Sequence, residues 1–265
     1  MNLFRREMKA SRKSLLIWIV GIIAMVAGGM GKYAGMAESG DSMNELMADL
    51  PKTLQAVFGV ADLDISTPIG YYGVLFLYLL LMAAVHASML GANILSKEER
   101  DKTSEFLLAK PISRDRLLTA KLLAGLVHLI VFNAAMWASS VLVVGQYAAE
   151  GESVAAPIAE LMLGMLLVQF VFLSAGFAVA GAGGRPKRAV AISAGVMLLT
   201  FLLSVAVEVS GSIDFLRFLS PFQYADAAEV IESGLGLGFV LTGVAIAALC
   251  LFAAFVGYRR RDIQV

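Results

Sequence analysis

The sequence predicts an all-α integral membrane protein with six transmembrane helices and with both chain ends in the cytoplasm. Of its 265 residues, 59% are hydrophobic and 16% are charged, whereas a soluble domain is nearer half apolar and a quarter charged. A chain of this length cannot bury that excess in one core, because much of any folded surface stays exposed. The Lys and Arg residues, moreover, fall almost entirely in alternate loops.

Six apolar segments are long enough to cross a bilayer, which takes about 20 residues in a helix. They cover approximately residues 14–31, 70–95, 117–144, 157–182, 189–208 and 235–257. Their apolar runs are continuous and do not alternate, which predicts helices rather than the strands of a barrel. The second and third segments are longer than a crossing needs, so we expect them to tilt or to protrude. Residues 1–265 then form a single transmembrane domain.

The distribution of basic residues gives the orientation, since cytoplasmic loops are enriched in Lys and Arg. One set of alternate segments holds 18 of the 21 basic residues, and the opposite set holds only Lys32, Lys52 and Arg217. The rich set includes the first 13 residues, residues 96–121, residues 185–188 and residues 259–261. This split predicts that these segments are cytoplasmic, and it supports the number of spans.

Residues 2–13 have the pattern of an amphipathic helix. Phe4 and Met8 fall on one helical face, and Arg5, Lys9 and Arg12 fall beside it. Such a helix is expected to lie flat at the inner membrane surface before the first span. The alternative is a short basic tail that only sets the topology.

Two of the outer loops are also patterned. In residues 43–58 apolar side chains recur at helical spacing around Pro51, which predicts one or two short amphipathic helices. Residues 215–224 are too apolar for a solvated loop. We expect that segment to dip back into the membrane or to cap the spans.

The most informative polar stretch is the predicted cytoplasmic segment 96–116. Its apolar element, residues 106–109, is closed by Pro111, which ends a helix, and Thr103 or Asp101 is suited to cap it. Ser113 is suited to cap the next span. A short helix that presents apolar side chains within a charged rim has the form of a protein-binding knob. The alternative is a plain connector that folds onto the membrane surface.

The run EERDKTSEFLLAKPISR, residues 98–114, resembles the cytoplasmic segment of ABC-2-type permeases, the membrane subunits of type V-like ABC transporters. The run departs from the family pattern in having Lys102 where Gly is often found. Residues 66–71 and 220–222 agree with the family more loosely. The resemblance covers the whole chain in layout, but only the 98–114 motif is specific.

The resemblance implies an export system in which a separate P-loop ATPase subunit binds ATP and docks on a coupling helix at about residues 103–110. The implied polar contacts or caps are Glu98, Glu99, Thr103, Glu105 and Arg114, and the implied apolar seat is Phe106, Leu107 and Leu108. A second permease subunit, either another copy or a related chain, is also implied. So is a location in the cytoplasmic (inner) membrane of a prokaryote.

The chain shows no chemistry of its own. It lacks the P-loop, H-E-x-x-H and G-x-S-x-G motifs, so we expect no nucleotide site, no catalytic residues and no cofactor in this chain. Its one cysteine, Cys250, excludes a disulfide within the chain, and its two histidines lie in different spans, which argues against a metal site. Zero formal net charge gives no indication of nucleic-acid binding.

Polar residues inside the spans leave two interpretations open. His128 and Asn133 are candidates for a translocation path, since intramembrane polar groups mark such paths. They serve equally as hydrogen-bond partners between helices, as do His86 and Gln169. The alternative to the ABC assignment, a self-contained secondary transporter or channel, would use these residues. An apolar bundle favours a lipidic or amphipathic substrate.

Overall fold

The computed structural model describes residues 3–36, 44–45, 47–60, 63–101, 113–149, 151–183, 186–210 and 213–260. Within these ranges the chain is helical and contains no strand. The long helices are α1 (Leu3–Met36), α3 (Pro68–Arg100), α4 (Arg114–Val144), α5 (Ala155–Ala182), α6 (Pro186–Ser210) and α8 (Leu237–Arg260). Two short helices, α2 (Lys52–Phe58) and α7 (Ala227–Ser233), lie between them.

The six predicted spans are confirmed, because six helices of the described chain are long and apolar enough to cross a membrane. Five of the predicted segments fall inside one of these helices, and the sixth, 235–257, begins two residues before α8. The helices extend further than the apolar runs do, since their last turns carry polar residues that remain compatible with a helix beyond the hydrocarbon. For α3 this places 33 residues in one helix of roughly 50 Å.

The prediction of a separate N-terminal helix over residues 2–13 is wrong at the level of secondary structure. Residues 3–13 continue without a break into the first span, so α1 is one helix of 34 residues. No Pro or Gly occurs before Gly21 to end a helix. Phe4 and Met8 also pack against a cluster of buried apolar side chains in the bundle, which stabilises a helix that continues in the same direction.

The described parts of the first and third predicted outer loops contain short helices. The short helix α2 begins directly after Pro51. The third predicted outer loop contains two 3₁₀ helices, Asp214–Leu219 and Pro221–Ala225, of which the second is buried throughout. The Gln223 amide donates to the Ser204 hydroxyl of α6 at 2.9 Å. This loop therefore caps the spans.

Helix α5 lies at the centre of the bundle. Two-thirds of its apolar window is buried, compared with about a fifth for α1, α6 and α8. It approaches α3 closely through glycines, since a methyl group at Gly91 would overlap the carbonyl of Leu173, and one at Gly176 would overlap that of Ser88. Small residues allow such contacts, which supply much of the packing energy between membrane helices.

The outer faces of the peripheral helices are apolar. Ile17 of α1 is 73% exposed, Leu199 of α6 is 67% exposed and Phe252 of α8 is 70% exposed. A soluble protein rarely exposes large contiguous apolar patches. These faces are suited to contact lipid chains.

Gly91→Ala should destabilise the bundle, because the new methyl group meets backbone atoms of α5 that cannot rotate away. Overpacking of this kind costs about 1–3 kcal/mol. The matched control is Gly238→Ala in α8, whose methyl group would meet only a ring carbon of Phe218, at 3.5 Å. Thermal unfolding in mild detergent should show a lower Tm for Gly91→Ala and an unchanged or slightly higher Tm for Gly238→Ala. Equal Tm values for the two variants would contradict the close contact of α3 and α5.

Candidate functional site

Both ends of the predicted cytoplasmic segment 96–116 are helical in the structure. The connection between α3 and α4 is therefore shorter than the sequence indicated. Helix α3 runs to Arg100, which places Glu98 and Glu99 in its last turn. Helix α4 begins at Arg114, and the hydroxyl of Ser113 accepts from the Arg116 amide at 3.3 Å. The predicted cap at Ser113 is therefore confirmed. Five predicted coupling residues lie outside the described residues: Thr103, Glu105, Phe106, Leu107 and Leu108.

Glu98 forms ion pairs inside the protein. Its side chain is 8% exposed, and its Oε2 accepts from Nζ of the fully buried Lys121 at 2.6 Å. Its Oε1 accepts from Nη2 of Arg6 at 2.7 Å. Lys121 also donates to the carbonyl of Ile94, one turn before Glu98. Glu98 therefore joins α1, α3 and α4.

Glu7 extends this arrangement. Its side chain is fully buried, it forms an ion pair with Lys97, and its Oε2 lies 3.8 Å from Nζ of Lys121. Nη2 of Arg6 lies 3.3 Å from its Oε1. We call the set the buried ion cluster: Arg6, Glu7, Lys97, Glu98 and Lys121. Its three cations and two carboxylates alternate, so each carboxylate contacts more than one cation.

The buried ion cluster fixes the relative positions of three helix ends. Removing two charges from water is costly, and a buried pair repays that cost only with good geometry and additional hydrogen bonds. Glu98 and Lys121 meet both conditions, since each bonds to more than one partner. Sliding α1 relative to α3 would separate these partners and leave buried charges uncompensated, a loss of about 3–5 kcal/mol for each broken pair.

The other end of the segment is attached to the last helix. Nη1 of Arg114 donates to the carbonyls of Tyr258 and Arg259 at 3.0 Å each. These carbonyls belong to the last turn of α8, where backbone acceptors lack partners within the helix. Arg259 in turn donates to both carboxylate oxygens of Asp115, at 2.6 and 2.7 Å. The end of α3 is therefore attached to α1 and α4 through Glu98, and the start of α4 is attached to α8 through Arg114.

Sequence reasoning missed the partners of Glu98. Lys97 and Lys121 were counted among the cytoplasmic loop cations, but both lie on helices, and Lys121 is completely buried. One signal was present in the sequence: Lys121 lies inside the predicted apolar segment 117–144, between Ala120 and Leu122. Glu7 was another, as the one carboxylate within a basic segment. Neither signal identifies the partner of the charged group, because the partners are far apart in sequence: Arg6 and Glu98 are separated by 92 residues.

The two path candidates have different surroundings. Asn133 donates to the carbonyl of Leu129 at 3.0 Å and to the side chain of Gln169, so it joins α4 to α5. His128 is 1% exposed, and its Nδ1 donates to the carbonyl of Ala124 at 2.7 Å. His128 also lines two cavities beside α1. The contacts of Asn133 are those of a helix-joining residue, whereas His128 lies next to open space.

Comparison with models of known protein families identifies the family of this chain. Its residues 1–263 match a family model described as an ABC-2 family transporter protein. The chain belongs to the ABC-2 transporter family. With its six spanning helices, this ABC-2 protein is a multi-pass integral membrane protein and the permease component of an ABC transporter. Membrane proteins of this family work with an ATPase partner. No curated protein sequence matches the chain.

Replacing Lys121 should destabilise this ABC-2 permease strongly. Lys121→Met removes the cation between two buried carboxylates, and breaking a buried pair in this way costs about 3–5 kcal/mol. The double variant Glu98→Gln, Lys121→Met should lose less than the two single changes together, because it leaves one fewer uncompensated charge. Thermal unfolding in detergent measures all three variants.

The control for this prediction is the exposed pair of Arg259 and Asp115. Asp115→Asn should lower stability by no more than about 1 kcal/mol, as exposed ion pairs do. A Tm for Lys121→Met as high as that of Asp115→Asn would show that the buried ion cluster does not stabilise the fold.

Proposed function

We propose that this ABC-2 permease exports its substrate across the cytoplasmic membrane of a prokaryote and that its ATPase docks on the segment that joins α3 to α4. The permease has no nucleotide site of its own, and the partner subunit binds and hydrolyses ATP. The observation that carries the proposal is the attachment of this segment at both ends. Glu98 ties its start to α1 and α4, and Arg114 ties its end to α8.

This attachment gives a route for mechanical coupling. A force applied to the segment between Arg100 and Arg114 would act directly on α3, which ends there, and on α4, which begins there. The buried ion cluster passes the displacement to α1, since Arg6 and Glu7 lie on that helix. Arg114 passes it to α8. ATP-driven closure of two ATPase subunits would thus move four of the six spanning helices together.

The roles within the segment follow from the chemistry of its side chains. Phe106, Leu107 and Leu108 supply the apolar seat in a cleft of the ATPase, and Thr103 and Glu105 supply polar contacts or caps around it. Glu98 has internal partners, so in this mechanism it holds the base of the segment. We also assign Glu99, in the same turn of α3, to the contact with the ATPase.

Changing the apolar seat should remove the ATPase from the complex. The chain is co-expressed with the P-loop ATPases of its source, starting with any that is encoded beside it, and is extracted in mild detergent. The wild type should retain one ATPase during affinity purification. Glu105→Arg with Leu107→Asp should lose it, because a reversed charge and a carboxylate replace groups that would be desolvated on docking.

The matched control makes the same kinds of substitution at the opposite end of the molecule. Glu229→Arg with Leu237→Asp changes side chains near the predicted outer surface and should leave ATPase retention unchanged. Both double variants must keep the wild-type elution volume, which shows that they are folded. If the wild type retains no ATPase, or if the Glu105 and Leu107 variant retains it fully, the docking proposal is wrong.

We also propose that two permease subunits pair through the small-residue faces of α1 and α6. Ala24 and Gly28 of α1 are exposed, and a methyl group at Gly28 or at Gly195 of α6 would meet nothing within 4 Å. Close approach of such faces favours association between membrane helices. The second subunit is a copy of this chain in the simplest arrangement.

Cysteine crosslinking tests this pairing. In a Cys250→Ser background, Gly28→Cys should form a disulfide-linked dimer when membranes are treated with a mild oxidant. Phe252→Cys, on the exposed face of α8, is the control and should stay monomeric. Dimer bands of equal strength from both positions would indicate random collision, and the proposed pairing would then be abandoned.

A further inference from the structure

We propose that the first four turns of α1 form a binding site for an anionic phospholipid, with a hydroxyl-bearing headgroup, from the cytoplasmic leaflet. The site would consist of two cavities on either side of α1 that share Leu15 and His128. Both are open to the outside, the second more so, and their spaces of about 760 and 640 Å³ include bulk solvent. This binding does not depend on the proposed docking of an ATPase.

The first observation is the charge of the walls. The described residues that line the two cavities include five cations and no carboxylate: Arg5, Lys9, Arg12, Lys97 and Arg100. Lys97 and Arg100 pair with Glu7 and Asp101. Among the described residues, Arg5, Lys9 and Arg12 form no ion pair. These three exposed cations are thus available to an anionic ligand, and a basic pocket at the cytoplasmic end of a bundle attracts anionic headgroups.

The second observation is the apolar stripe beside these cations. Phe4, Met8 and Leu15 line the second cavity together with Arg5, Lys9 and Arg12. Residues at this spacing form parallel rows along a helix. A ligand that follows α1 would therefore meet apolar side chains along one row and cations along the next. An acyl chain attached to a phosphate headgroup has both parts, whereas free phosphate has only one.

The third observation is a buried imidazole without a full set of hydrogen bonds. His128 is 1% exposed, its Nδ1 donates to Ala124, and its Nε2 is buried with no hydrogen-bond partner among the described residues. His86, which lines the first cavity, has an unpartnered Nδ1. An unsatisfied buried polar atom carries a desolvation penalty. Because Nδ1 of His128 donates, its neutral ring offers Nε2 as an acceptor, which suits a headgroup hydroxyl.

Competition between two lipids tests the proposal. The purified chain in mild detergent is offered equal amounts of dioleoylphosphatidylglycerol and dioleoylphosphatidylcholine, and the retained lipid is measured by mass spectrometry. The wild type should retain the anionic lipid several-fold over the zwitterionic one. Glycerol phosphate, offered in excess as the headgroup without chains, should not displace it. Lack of preference, or full displacement by glycerol phosphate, would overturn the proposal.

Charge variants separate this site from general attraction to basic surfaces. Lys9→Gln with Arg12→Gln should lower retention of the anionic lipid by roughly tenfold or more, since each cation near an anionic lipid contributes about a factor of five. The matched control, Lys187→Gln with Arg188→Gln, removes one exposed Lys and one exposed Arg of α6. Equal losses from the two pairs would leave no specific site beside α1.

Two further variants test the cavities themselves. His128→Leu removes the buried acceptor, and Ser14→Phe places bulk in the first cavity from the exposed side of α1. Each should lower retention of phosphatidylglycerol while the Tm without lipid stays near that of the wild type. If His128→Leu fails to fold, Ser14→Phe decides the question alone. A folded Ser14→Phe variant with wild-type retention would overturn the cavity assignment.

Discussion

The end of the bundle where α3 ends and α4 begins depends on the neutralisation of Lys121, a fully buried cation and the fifth residue of the apolar segment 117–144. Glu98 supplies one carboxylate and Glu7 another, and they come from two different helices. Since an uncompensated buried charge costs several kcal/mol, the three helix ends must stay in one arrangement or separate together. The relative positions of Arg100, at the end of α3, and Arg114, at the start of α4, follow from this requirement.

Deeper in the bundle the interactions that hold the helices together are individually weaker than the ion pairs, and they are more numerous. Glycines at the contact of α3 and α5 bring backbones close together, and Asn133 and Gln169 form a hydrogen bond between α4 and α5. Hydrogen bonds between membrane helices contribute about 0.6 kcal/mol on average. Many small contacts therefore hold the apolar part, whereas a few strong ones hold the end that carries the buried ion cluster. If the ATPase docks as proposed, force would enter where the helices are most firmly joined.

Helix α1 combines several of these features. Its first turns belong to the buried ion cluster, its basic and apolar rows line the two cavities, and its later turns present an exposed small-residue face. A lipid bound beside Leu15 and His128 would lie next to the cluster that attaches α1 to α3. In that arrangement the state of the membrane would influence the same helix that receives displacement from the segment between α3 and α4.

The sequence by itself determined the six spans, the short helix after Pro51, the cap at Ser113 and the family. Apolar run length, a proline, a capping hydroxyl and a local motif are all readable within about 20 residues of chain. Only the tertiary structure decided that α1 is continuous, that Glu98 bonds to Arg6 and Lys121, and that His128 borders cavities while Asn133 joins helices. The physical reason is distance along the chain. A carboxylate or an imidazole in a span has the same local pattern whatever its partner, and the partner is chosen by the packing of helices far apart in sequence.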